Sequence, residues 1–226
     1  MTRKYRFTLR LAFLALLASG AWAADRTATD PSPQAVEKAD NKDEYPGTPE
    51  QVVMKTVDNV LAILGKAEYH IPAKRSELRE EIRQTLMQVV DMDRMAMLTL
   101  ANYRSKFSDQ QMKKFVDLFS KLLFNTYITH IEKYTDEKID ILKTYGMGDN
   151  MATVQTKIIG QHSEFPVDYR MFKNGGKWKV YDIIVENVSL VQNYRIQFRD
   201  ILVNESPEDF LKRVEKKVEE NEEKQR

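Results

Sequence analysis

The chain contains no cysteine, which excludes a disulfide framework, a thiol nucleophile and a lipid anchor attached through cysteine. Histidine occurs three times, as His70, His130 and His162, too widely separated to show ligand-type spacing. No metal site and no cofactor are therefore expected. There is no Gly-x-Ser-x-Gly elbow and no Gly-rich phosphate loop. Charge of one sign is not in excess either, with 35 Lys and Arg against 34 Asp and Glu. A nucleic-acid footprint would need clustered bases on one face, so no nucleic-acid partner is expected. The long apolar run of about 20 residues that a spanning helix needs is also missing.

What the N-terminus does contain is a shorter apolar run with a basic lead. Arg3, Lys4, Arg6 and Arg10 precede residues 11–18, which are almost unbroken Leu, Ala and Phe. Ser19, Gly20, Ala21, Trp22 and Ala23 then supply small residues that fit a cut after Ala23. This is the pattern of a secretory signal, and residues 1–23 are expected to be removed. No paired arginines mark a twin-arginine route. The segment holds four of the bases and no acid, leaving 31 bases against 34 acids, a balance of −3. With no disulfides, stability must come from an ordinary hydrophobic core outside the cytoplasm. Residues 24–47 are polar and Pro-containing and are expected to be a disordered linker. One domain should span 48–212, followed by a charged tail at 213–226 in which Lys and Glu alternate.

Within the domain, helical signals come first. Thr48, Pro49, Glu50 and Gln51 form a capping box with proline at the first helical position, ahead of Val53, Val57, Val60, Leu61 and Leu64. Leu78, Ile82, Leu86, Val89 and Val90 signal a second helix, and Met92, Met95, Met97, Leu98 and Leu100 continue the pattern through 91–103. Ser108 with Gln111 caps a helix over 109–134 that is apolar on more than one side, through Phe115, Leu118, Phe119, Leu122, Leu123, Phe124, Tyr127 and Ile128. Such a helix is central to a core or shared between a core and a cavity.

From residue 137 the period changes from helical to alternating. Four strands are expected, near 138–145, 152–160, 165–172 and 177–185. Reading Asn174-Gly175 as a two-residue turn sets Met171 opposite Trp178 and Tyr169 opposite Val180. One face then carries Val167, Tyr169, Met171, Trp178, Val180 and Ile184, with Val154 and Ile158 as additions; Asp168, Arg170, Lys179 and Tyr181 take the other. Ser189 caps a helix with Leu190, Val191, Tyr194 and Phe198, and a last helix starts at Ser206-Pro207. The expected class is α+β: N-terminal helices, a four-stranded antiparallel twisted sheet covered on one face, and closing C-terminal helices.

The run Val167-Asp168-Tyr169-Arg170, the Gly-Lys-Trp-Lys-Val-Tyr-Asp segment at 176–182, and Val188-Ser189-Leu190-Val191 through Tyr194-Arg195 to Phe198 resemble the MlaC family. The Tyr103-Arg104 pair, Phe115, Leu122-Leu123 and Thr126-Tyr127 are similar to that family's preceding helix. Asn187 departs from the pattern, standing where the family usually has glycine before Val-Ser-Leu. The resemblance implies a periplasmic phospholipid carrier of the lipid-asymmetry pathway, related to toluene tolerance, with an NTF2-like cone enclosing an apolar pocket. It further implies traffic between an outer-membrane lipoprotein complex and an inner-membrane ABC transporter complex, as a monomer touching membranes only transiently.

On this reading the acyl chains would lie against Leu118, Leu122 and Tyr127 of the long helix, Val154, Ile158, Tyr169, Met171, Val180 and Ile184 of the sheet, and Leu190 and Tyr194 of the closing helix. Met87, Met92, Met95, Met97 and Met112 would suit a lining that adapts to variable chains. The rival reading is a pocket enzyme of isomerase or hydratase type using Asp182 or His130, with Asp168 as a further candidate. A catalytic carboxylate would have to lie inside the pocket with a partner in reach. The alternation puts Asp182 on the apolar side and Asp168 on the other.

Overall fold

Side-chain caps start helices at Thr48, Ser108, Ser189 and Ser206, where the sequence signals them. The Thr48 side chain accepts the Gln51 N–H at 3.4 Å while Gln51 Oε1 accepts the Thr48 N–H at 3.1 Å, opening α1 (Pro49–Leu64). These are the first features of a computed structural model that describes residues 47–133, 138–146, 148–160 and 164–225. The expected signal at 1–23, the linker up to residue 46, Tyr134, His162 and the side chain of His70 lie outside the described residues. A 3-10 turn, Ala67–His70, leads to α2 (Pro72–Met87), which begins on proline without a side-chain cap.

The apolar stretch expected at 91–103 is set off from α2. It forms a separate helix, α3 (Met92–Leu100), because residues 89–91 are committed elsewhere: the Val180 N–H donates to Val89 O at 2.9 Å and the Asp91 N–H to Val180 O at 2.8 Å. Asp91 then caps α3 by accepting the Arg94 N–H at 2.8 Å. A 3-10 segment, Ala101–Lys106, precedes α4 (Asp109–Ile131), opened by a second reciprocal box between Ser108 and Gln111. α4 stops three residues short of the expected 134.

The sheet follows in chain order, all antiparallel: β1 (Lys138–Gly146), β2 (Met151–Ile159), β3 (Glu164–Asn174), β4 (Lys177–Val185) and β5 (Val188–Ser189). Five strands replace the expected four, since β5 is only two residues long and too short for alternation to register. The β3–β4 turn also differs. Gly175 and Gly176, at φ 55° and 81°, are its two central residues, and Asn174 pairs with Lys177. A type I′ turn needs positive φ at both positions, which Gly-Gly meets without strain and Asn-Gly would have met one residue earlier. Met171 therefore opposes Val180, not Trp178.

A β-bulge then reverses the parity of β4. Met171 pairs with Val180 but Arg170 pairs with Asp182, leaving Tyr181 as the extra residue. Beyond it Ile183 opposes Tyr169, while Ile184 opposes Asp168 on the other side. This corrects two expected placements at once: Ile184 and Asp182 both leave the Tyr169 face. The β4–β5 turn repeats the positive-φ device with Glu186 at 48° and Asn187 at 67°. Asparagine tolerates that region better than most residues, which accounts for its standing in place of glycine.

Ser189 caps α5 (Leu190–Leu202), and Ser206 caps α6 (Pro207–Glu223). α6 carries the helix expected from Ser206-Pro207 on through most of the charged segment. Its second half is helix, with Val214 and Val218 buried beside Phe210 and Leu211, an apolar stripe that the surrounding charges mask in composition. Phe115 and Phe119 of α4, Phe198 of α5 and Phe210 of α6 pack as one aromatic cluster; the Phe115–Phe119, Phe119–Phe198 and Phe198–Phe210 centroids lie 5.6, 5.8 and 5.1 Å apart. Such rings bury large apolar areas and prefer stacked and edge-to-face contacts like these. The molecule is thus α+β, with helices packed against one face of an open sheet. Among the described residues, no helix is long and apolar enough to cross a membrane.

Candidate functional site

α1, the 86–95 segment, α4 and the sheet do not close completely on one another. Between them lies a cavity of about 290 Å³. α1 contributes Val53, Thr56, Val57, Val60, Leu61 and Leu64, the stripe set by its helical period. Leu86, Met87, Val89, Val90, Met92 and Met95 form the wall where α2 gives way to α3. From α4 come Leu123, Phe124, Tyr127 and Ile131, and Leu190 opens α5 beside them. The floor is Ile139, Ile158 and Tyr169 with Val180, Ile183 and Val185 of β4. The last two face the cavity because of the bulge at Tyr181.

Among the described residues, no carboxylate, amine, guanidinium or imidazole occurs in this lining. Its polar members are Thr56, Tyr127 and Tyr169. The Thr56 hydroxyl donates to Val52 O at 2.7 Å and is thereby satisfied within its own helix. Burial pushes the Tyr127 phenol well above its ordinary value, with Tyr194 adding to the effect. An apolar cavity of this kind holds hydrocarbon by removing it from water.

Of the residues expected to line a pocket, Tyr127, Ile158, Tyr169, Val180 and Leu190 meet at this cavity. Leu118, Leu122, Val154, Met171, Ile184 and Tyr194 do not, a correction to the expected set. Leu118 and Leu122 are buried in the α4 packing, and Tyr194 rests on Phe119 with centroids 5.2 Å apart. Val154 and Met171 are buried in one cluster with Val53 and Val180. Of the methionines, Met87, Met92 and Met95 reach the lining and Met97 and Met112 do not. The reading missed α1 as a wall altogether. Its stripe was visible, but periodicity reports only that a face is covered.

The acid-base candidates lie outside the lining. Asp182 is 2% exposed and fully engaged: Ser189 Oγ donates to Oδ2 at 2.6 Å, the Val191 N–H donates to Oδ1 at 3.1 Å, and Arg170 Nη1 lies 3.5 Å away. This ties β4 to the start of α5. Asp168 accepts from Gln155 Nε2 at 3.2 Å on the same outer side. His130 is half-buried on α4, and burial, with Lys133, lowers its pKa. Among the described residues no group of three or more His, Cys, Asp or Glu could hold a metal.

One ionic cluster sits next to the cavity wall, immediately after Ile131. Arg79 of α2 grips Glu132 through two hydrogen bonds of 2.6 and 2.8 Å, and the Tyr69 hydroxyl donates to the same carboxylate at 2.7 Å. Burial alone would raise the Glu132 carboxyl, but hydrogen bonds from Arg79 and Tyr69 outweigh it and hold the pKa below its usual range. The bidentate geometry is the strong form of such a pair. It fixes α2 against the end of α4, over the apolar cluster of Ile63, Leu64, Leu78, Ile82 and Ile128.

Comparison with known proteins finds that residues 54–216 match the family model described as MlaC protein. Toluene tolerance protein ttg2D of Pseudomonas putida is 26% identical over 157 residues, covering 69% of this chain and 73% of that protein. The intermembrane phospholipid transport system binding protein MlaC of Haemophilus influenzae is 24% identical over 151 residues, covering 65% and 71%. A phospholipid-binding protein from Ralstonia solanacearum, solved in complex with a phospholipid, superposes with a TM-score of 0.67 at 21% identity, over 75% of this chain and 96% of that one. At that identity the likeness is one of fold.

Proposed function

From the chain's membership of the MlaC family, we propose that it is a phospholipid carrier that works in the periplasm after removal of an N-terminal signal. The observation that carries this reading is the cavity, about 290 Å³ in volume and walled by aliphatic, methionine and aromatic side chains, with no carboxylate, amine, guanidinium or imidazole among the described residues. Each acyl methylene withdrawn from water contributes about 0.8 kcal/mol, so hydrocarbon alone supplies the affinity and no headgroup clamp is required. The names of the Haemophilus and Ralstonia relatives, which specify phospholipid, support the same reading.

In this proposal the acyl region enters between α1 and the sheet while the headgroup stays near solvent. The carrier takes lipid from one membrane-bound assembly and delivers it to another, an outer-membrane lipoprotein complex and an inner-membrane ABC transporter complex being the partners the family implies. The candidate acid and base side chains stand outside the cavity, and the reading assigns binding, not turnover. The test is extraction of the purified protein with organic solvent followed by mass spectrometry. Phospholipid in near-stoichiometric amount is the expected result; an extract free of lipid from protein purified out of its native envelope overturns the proposal.

A further inference from the structure

The lining contains one hydroxyl that the fold leaves unused. Leu123, Tyr127 and Ile131 recur four residues apart on α4, so Tyr127 stands at the middle of the face that this helix turns to the cavity. Thr56 is spent on Val52 O. Tyr194, whose phenol acts electrostatically on Tyr127, is itself committed to Thr126, whose oxygen also accepts from Asn221 Nδ2 at 3.3 Å. Among the described residues Tyr127 has no hydrogen-bond partner, and its surroundings are hydrocarbon. A phenol in that position is a donor awaiting an acceptor, since buried hydroxyls normally find one.

An acyl lipid carries its acceptors at one place, the carbonyl oxygens where tail meets backbone. Resting on the phospholipid reading above, we propose that the Tyr127 hydroxyl donates a hydrogen bond to an ester carbonyl of the bound lipid and so sets how deeply the tail enters. The aliphatic walls cannot do this, because hydrocarbon contacts are non-directional and let a tail slide. A directional donor at this point of the cavity gives the lipid a register. It also makes the protein sensitive to the linkage between tail and glycerol while leaving it indifferent to the headgroup.

The experiment compares delipidated wild-type protein with Tyr127→Phe, each equilibrated with vesicles of a diester phosphatidylcholine, of the matching diether lipid, or of the diester lipid with free palmitic acid added. Bound lipid is quantified by mass spectrometry, after thermal unfolding has shown that the variant is folded. The expected result is that wild type favours the diester over the diether by about tenfold, the discrimination of one buried hydrogen bond, and that Tyr127→Phe binds both alike. Equal binding of the two lipids by wild type overturns the inference, as does a preference that survives in Tyr127→Phe. Palmitic acid displacing the diester from wild type but not from the variant would transfer the contact to a free carboxyl group and overturn the ester assignment. If neither phospholipid binds wild type, the carrier reading itself fails.

Discussion

Val57 offers a direct way to separate a ligand-holding cavity from loose packing. It lies on the α1 wall, half-buried, and is not part of the tightly packed group formed by Val53, Val154, Met171 and Val180. Replacing it with tryptophan adds about seven heavy atoms, which exclude roughly four acyl methylenes at about 0.8 kcal/mol each. Affinity for lipid should fall by about 3 kcal/mol, roughly a hundredfold. The fold should survive, because the indole occupies void. Val180→Trp is the contrast: Val180 also lines the cavity but is 3% exposed within the packed group, so the same addition overpacks and should destabilise by about 1 to 3 kcal/mol. Phospholipid per mole of protein after extraction reads the loss of binding, and thermal denaturation reads the loss of stability. A folded Val57→Trp protein that still carries a full complement of lipid would refute the assignment of acyl chains to this cavity.

Two further outcomes concern stability. Glu132→Gln should destabilise by about 2 kcal/mol in chemical denaturation at neutral pH, because it leaves Arg79, only 16% exposed, without its charge partner. Since the folded-state pKa of Glu132 lies below its ordinary 4.5, its contribution is complete above that value and is lost as the pH falls through the folded one, so wild type and variant should converge in acid. Thr144 Oγ1 is buried with no hydrogen-bond partner among the described residues, and Thr144→Val should raise stability by about 1 kcal/mol, visible as a higher Tm; a fall in Tm would mean that the hydroxyl is satisfied after all.

The family, the class and the helix starts were legible in the sequence because each rests on residues close together in the chain. Thr48 with Gln51 and Ser108 with Gln111 are boxes whose partners sit three residues apart, and both form as expected. Alternation located the four long strands for the same reason. What only the tertiary structure decided is how those elements are set against each other. The turn could be Asn174-Gly175 or Gly175-Gly176 on local chemistry, and one residue of difference moved every β3–β4 pair. The bulge at Tyr181 comes just after Val180, whose backbone pairs with Val89, a residue 91 positions earlier in the chain. No short-range signal announces it, yet it turns Ile183 inward and Asp182 outward and so removes a carboxylate from the cavity. Leu122 and Leu123 are adjacent leucines on one helix, and one packs in the core while the other lines the cavity. Periodicity reports that a side chain leaves water; whether it meets protein or open space depends on the distance between layers, which is set by the whole fold.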